Sequence, residues 1–312
     1  MKKICTLLLF FIYIAVNAQQ LNLISQYTEN QSIINPAAMS IDYLKYNQRH
    51  STGINYRYQW AGIEDAPQTA FARFEYIQEG NNLAVLGATL IQDRVGATSQ
   101  TGLLGRYAYQ LRPSIGADIL IGVGLSFGIV QYRIDASKLD FDPNDQLSGN
   151  TPKSYVPDLS IGANIIYYPE YGTKWYAGIA IPQTVGLDVN FTTDSDKNLS
   201  IKRMRHFYAT GGAIIAIGQQ GFLEPSIWIK KTADLPLHID LNIRQKFANN
   251  FWVGMGYSTA KSLKLDTGIL LNQLIGLNDS LLRIGYAFEY NISQYGQYLG
   301  TTHEIGVSFS WN

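Results

Sequence analysis

The sequence is poor in charge, nearly free of cysteine, and has no long apolar run after its first residues. Only 15% of its 312 residues are charged, against about 25% in an ordinary soluble domain. Its 24 basic and 24 acidic residues cancel. That balance argues against nucleic acid as a partner, which calls for a basic surface. The one cysteine, Cys5, lies at the amino terminus. A disulfide-stapled framework and a thiol enzyme are therefore both ruled out for the mature chain. No later stretch reaches the roughly 18 apolar residues of a membrane-spanning helix. Against these absences stand 46% hydrophobic residues and 21 tyrosines.

Lys2 and Lys3 precede an apolar run from Ile4 to Val16, and Val16-Asn17-Ala18 supplies small residues ahead of Gln19. This pattern predicts a secretory signal over 1–18, with Cys5 inside it. Hydrophobic side chains then recur with period two. Leu237, Ile239, Leu241 and Ile243 alternate with His238, Asp240, Asn242 and Arg244. Ile305, Val307, Phe309 and Trp311 alternate with Glu304, Gly306, Ser308 and Ser310. Strand spacing sorts these residues onto two faces, whereas helical spacing scatters them. Fourteen such segments begin near residues 49, 68, 82, 98, 116, 155, 173, 203, 220, 236, 250, 262, 280 and 300.

The connections alternate in length. Those at 79–81, 111–115, 169–172, 218–219 and 248–249 are short, with 272–279 as the exception; 133–154, 183–200 and 292–299 on the other side are longer and polar. Strands of about ten residues, an even strand number and loops segregated by length are the pattern of an outer-membrane barrel. The expectation is an all-β transmembrane barrel over 49–312, with about fourteen antiparallel strands, short periplasmic turns and longer extracellular loops. Its outward face meets outer-membrane lipid, aliphatic in the middle and aromatic at the ends. Trp60 is placed on that face with Tyr56 and Tyr58, at the outer interface. Residues 19–48, mixed in polarity and broken by Pro36, suit a short helix or extended plug at the periplasmic mouth; a flexible linker is the alternative.

Alternation also sends charges inward: Arg57, Arg73, Glu75 and Arg106 early in the chain, then Asp240, Arg244, Lys264 and Asp266, and finally Arg283, Glu289 and Glu304, with His238 beside them. Confined charges must be paired or wet. With both signs interspersed, the expectation is a lumen filled by paired side chains or an inward loop, and an open porin is the alternative. The four histidines lack metal-ligand spacing and no Gly-x-Ser-x-Gly elbow occurs, so neither metal, cofactor nor catalytic residue is expected. Asp140, Phe141, Asp142, Asn144 and Asp145 read as a solvated loop, because Pro143 interrupts any calcium-loop spacing. With Asp188, Asn190 and Phe191 they are the candidate contact surface for a partner. An outer-membrane enzyme would need a nucleophile and a histidine brought together in one cavity.

Three motifs carry a resemblance. They are QYTENQSIINPAAMS with Asn35, Pro36 and Ala37; RYQWAGIEDAPQT with Arg57, Gln59, Trp60, Pro67 and Thr69; and THEIGVSFSWN with His303 and Glu304. In this order, from near the signal to the carboxyl end, they resemble the PorP/SprF family of Bacteroidetes outer-membrane proteins. Met39-Ser40 and Asp65 depart from glycines frequent in that family. The resemblance implies a non-catalytic barrel of the type IX secretion and gliding system. Such a barrel supports secretion or surface attachment of a large client, such as an adhesin bearing a type IX C-terminal signal, and meets secretion components on the periplasmic side.

Overall fold

Period-two segments that alternate aliphatic with small or polar side chains form strands because each face then meets one solvent. The computed structural model describes residues 24–312 apart from 115–117, 139–150, 192–198, 219, 234, 249, 273–278 and 295. The first half of the chain contributes β1 His50–Ala61, β2 Gln68–Gln78, β3 Leu83–Val95, β4 Thr98–Leu111, β5 Ile119–Ile134, β6 Lys153–Tyr167 and β7 Lys174–Ile181. A small hairpin of β8 Val189–Phe191 and β9 Leu199–Ile201 follows. The second half contributes β10 His206–Ile217, β11 Gly221–Thr232, β12 His238–Lys246, β13 Phe251–Ser258, β14 Ser262–Leu271, β15 Ser280–Asn291 and β16 Thr301–Trp311.

All strands except β8 and β9 join one closed antiparallel barrel of fourteen strands. Closure is made by β1 against β16, in a register that sets Ile54 opposite Val307 and Arg57 opposite Glu304. Each barrel strand starts within three residues of its predicted position. The β8–β9 hairpin was not foreseen. It occupies a stretch read as surface loop, and too few residues lie in either arm for alternation to register.

The outer face is apolar and exposed: Ile54, Leu103, Val123, Phe127, Ile129 and Met255 all lie on it. Among the described residues nothing covers these side chains, which is tolerable in lipid and costly in water. Aromatic residues gather at the strand ends. At the short-turn end His50 stacks on Tyr76 and Trp311 with ring centroids 4.8 and 5.1 Å apart, and Tyr107 and Trp175 are exposed nearby. Tyr155, Tyr257 and Tyr290 mark the long-loop end. Such girdles sit where a barrel leaves hydrocarbon for headgroups.

Trp60 sits at a break in the strand. The β1–β16 register shifts between Tyr58 and Ala61, and Trp60 takes a left-handed backbone with φ of 58°. The bulge breaks the alternation. Trp60 borders a cavity at the long-loop mouth, as do Arg57 and Glu289.

Because Ile54 and Val307 face each other across the closing seam, a double substitution Ile54→Cys with Val307→Cys forms a disulfide under mild oxidation. Non-reducing gels of the heated protein check this by a mobility change that reductant reverses. Two edges that do not meet give no bond.

Candidate functional site

The lumen is filled by the chain's own beginning. Residues 24–48 carry two short helices, α1 Gln31–Ile34 and α2 Ile41–Tyr46, and almost every side chain from Ile24 to Leu44 is buried. Ser40 caps α2 by accepting from the Asp42 N–H at 3.2 Å, and Asn47, left-handed at φ 60°, ends it. The segment spans the barrel instead of stopping at one mouth. At the long-loop end the Ser25 and Gln26 N–H groups donate to the Glu304 carboxylate at 2.6 and 3.1 Å. At the short-turn end Tyr43 donates to Glu79 at 2.9 Å and Lys174 donates to the Leu44 carbonyl at 2.8 Å. Its apolar residues Met39, Ile41, Tyr43 and Leu44 pack against Ile77, Leu83 and Val85 in an internal core. Ile24, Tyr27 and Ile34 pack against Phe71, Tyr208 and Trp228 in a second one.

The Asn35-Pro36-Ala37 motif is the anchor. Asn35 Oδ1 accepts from the Ala37 N–H at 2.9 Å, closing a local turn, and Asn35 Nδ2 donates to the Ala163 carbonyl at 3.0 Å. Arg106 donates to the Pro36 and Ala38 carbonyls at 3.0 and 2.6 Å, and Gln110 donates to the Ala37 carbonyl at 2.6 Å. The turn lies so close to the wall that a Cβ at Gly124, Gly162 or Gly178 would collide with Asn35 or Pro36. Three glycines on β5, β6 and β7 thus form the seat for one turn.

Around this anchor the expected lumen charges are brought together. Glu75 takes Arg73 at 3.0 Å and Arg106 at 2.8 Å, and Ser32 of the segment donates to it at 2.6 Å. Arg244 pairs with Asp266 at 3.0 Å, and Arg57 pairs with Glu289 at 3.0 Å. Asp240 takes Lys230 at 2.5 Å. The sequence reading missed the charges supplied by the segment itself. Glu29 faces Arg283 at 2.6 Å, Lys45 at 3.5 Å and Arg244. Asp42 binds Arg283 at 2.5 Å, and Lys45 reaches Glu224 at 2.7 Å. Arg283, Lys45 and Arg244 together surround the buried Glu29 carboxylate and offset the cost of its burial. The signal was present in Glu29 and Asp42, two acids in an otherwise apolar and amide-rich stretch facing a wall rich in arginine.

Of the remaining motif residues, Gln59 donates its N–H to the Pro67 carbonyl at 2.9 Å and Thr69 donates to Asp93 at 2.5 Å, which together shape the first long-end turn. His303 lies on the outer face, hydrogen-bonded with the Tyr286 hydroxyl at 2.7 Å. Glu304 points inward. Among the candidate contact residues, Asp140, Phe141, Asp142, Asn144 and Asp145 lie outside the described residues. Asp188 and Asn190 are exposed, but Phe191 is buried in a cluster with Ile134, Val156 and Val189. It is corrected from contact surface to internal support: the hairpin folds inward over β5 and β6, where Arg203 pairs with Asp158.

The hairpin leaves the other half of the mouth as a cup of about 240 Å³, lined by Trp60, Lys230, His238, Asp240 and Ser258. His238 Nε2 lies 2.6 Å from Ser258 Oγ and 3.1 Å from Asp240 Oδ1. A nucleophilic relay needs opposite ring nitrogens for these two contacts. One nitrogen serves both here, so it cannot take the serine proton while donating to the carboxylate. Among the described residues no group of three His, Cys, Asp or Glu is placed to hold a metal ion.

An apolar band toward lipid, aromatic ends and a closed antiparallel sheet of fourteen strands define an outer-membrane β-barrel, here with an occupied lumen. Solved barrels share the fold. The CymD monoaromatic hydrocarbon channel matches with TM-score 0.55 and 8% identity over 93% of each chain. The toluene transporter TodX of Pseudomonas putida matches with TM-score 0.51 and 8% identity, covering 91% of this chain and 93% of the other. The translocator domain of the autotransporter NalP from Neisseria meningitidis matches with TM-score 0.50 and 10% identity over 87% and 91%. No curated protein is significantly similar in sequence. The family described as type IX secretion system membrane protein PorP/SprF matches residues 16–309, nearly the whole sequence, and the chain belongs to it.

Removing one partner of a buried ionic network leaves the others unpaired and costs about 3–5 kcal/mol. Glu29→Ala therefore destabilises the protein by about 3 kcal/mol, read as an earlier transition in urea unfolding followed by tryptophan fluorescence. A transition unchanged from wild type would show that Glu29 does not hold the segment.

Proposed function

We propose that this barrel is a non-catalytic platform of the type IX system, supporting secretion or surface attachment of a large client protein through its long-loop end. The observation that carries this reading is the occupied lumen. A barrel stoppered by its own buried, ion-paired segment is poorly suited to diffusion, so its function lies in its surfaces. Family membership supports a place in the type IX system.

In this reading residues 1–18 are removed as a signal and residues 19–48 form the lumen segment ahead of the barrel. Client contact falls to the connections 62–67, 135–152 and 182–205. Val185 and Leu187 are exposed on the approach to the β8–β9 hairpin, next to exposed Asp188 and Asn190. Exposed apolar groups rimmed by polar ones suit a protein interface. The short turns and the α2 end of the lumen segment face the periplasmic partners.

Two measurements test the reading. In planar bilayers the intact protein passes little or no steady current, whereas a form lacking residues 24–45 conducts; a large steady current from the intact protein would favour an uptake channel. Deleting residues 140–150 leaves the barrel heat-modifiable on gels and lowers surface display of proteins bearing a type IX C-terminal signal. Unchanged display removes that loop from the client surface.

A further inference from the structure

The outer wall changes chemistry in ordered steps where β3 to β6 approach the long-loop end. Leu90, Leu103 and Ile129 stand side by side across the sheet and are exposed. Two residues nearer the long-loop end, the same face presents Gln92, Thr101 and Gln131, with exposed Tyr155 beside them on β6. Gln131 Nε2 donates to the Tyr155 hydroxyl. Two residues further, the row reads Arg94, Ser99, Arg133 and Lys153. Strand alternation keeps all three rows on the outer side of the wall, and Arg94, Arg133 and Lys153 are exposed there. At the same end of β13 to β15 the outward row is Tyr257, Leu263 and Tyr290. The basic row therefore belongs to one sector of the rim.

Arg133 and Lys153 stand directly opposite each other across the β5–β6 ladder. Like charges so placed repel and destabilise the strand pair. Asp65 takes Arg94 at 3.3 Å and also Lys138. Asp135, two residues beyond Arg133, acts on it only at a distance. Its carboxylate accepts from the Ser137 N–H and hydroxyl at 3.2 and 2.7 Å. Among the described residues no carboxylate forms an ion pair with Arg133 or Lys153. A phosphomonoester carries a charge of about −1.5 to −2 at pH 7 and matches two such cations. The guanidinium fork takes two phosphate oxygens, and the ammonium adds a point charge.

We infer that this sector of the wall holds an outer-leaflet lipid by a phosphomonoester headgroup. Arg133 and Lys153 take the phosphate, Gln92 and Thr101 meet the polar linkage, and the acyl chains lie along Leu103 and Ile129. A soluble anion would engage the cations alone. An amphiphile reaches all three rows, and their order along the wall is the order of its parts: hydrocarbon, linkage, phosphate. The assignment stands apart from the client role, since lipid can bind where display fails, and the reverse.

The test uses the full-length protein, stripped of lipid in a neutral detergent, with dimyristoyl phosphatidate as the probe and native mass spectrometry as the readout. Phosphatidate binds, and dimyristoylglycerol, which lacks the phosphate, binds at least tenfold more weakly. Arg133→Gln combined with Lys153→Gln weakens phosphatidate binding at least tenfold. Without lipid this double variant unfolds at the wild-type temperature or above it, because the repelling pair is gone. Lys231→Gln, exposed on the opposite wall, leaves binding unchanged. The comparison of the two lipids on wild-type protein decides the matter should the double variant fail to fold. Equal binding of both lipids, displacement of phosphatidate by an equal concentration of inorganic phosphate, an earlier lipid-free transition in a folded double variant, or binding that survives the double substitution overturns the assignment.

Discussion

The constraint on which the structure depends is charge neutrality inside a closed wall. The barrel strands point arginine, lysine, aspartate and glutamate into a space shielded from bulk water, where an unpaired charge is costly. The wall does not balance these charges alone. Arg283 finds its acids in Glu29 and Asp42, and Glu224 finds Lys45, all contributed by the segment ahead of β1. Sheet and segment are therefore complementary halves of one core. Coulombic attraction acts at short range through a medium of low effective dielectric, which makes the match between them selective.

Packing reinforces the same dependence. The Asn35-Pro36-Ala37 turn sits on backbone exposed by Gly124, Gly162 and Gly178, and Trp252 lies across Gly268 and Gly285. Large interior groups are accommodated where the wall has no side chains. Beyond the turn, Met39 and Leu44 bury against aliphatic residues of the short-turn end. That end resembles a globular core enclosed by a membrane-facing shell. The long-loop end is different: among the described residues Phe191 and Arg203 pack over one half, and a cup bordered by Trp60 lies in the other. Among the described residues the short-turn end is thus the more tightly packed of the two.

Much of this was legible beforehand. Every barrel strand from β1 to β16 announced itself through alternation, because lipid and lumen impose opposite chemistries on adjacent side chains. The inward set from Arg73 to Glu289 followed from the same parity. The register shift between Tyr58 and Ala61 was not legible, since a bulge leaves no mark in the alternation of a single strand. Phe191 was misread because a three-residue arm carries no periodic signal. Glu29 and Asp42 drew no reading of their own, because their partners Arg283 and Arg244 lie on strands far along the chain.

By itself the sequence determined that the chain curls into a fourteen-strand barrel with an apolar exterior, because that much is set by local alternation and turn spacing. Only the tertiary structure decided what fills the barrel and which side chains pair across it. Those outcomes depend on contacts between different strands and the lumen segment, such as Glu29 with Arg283 and Arg57 with Glu289, which chain-local patterns do not encode.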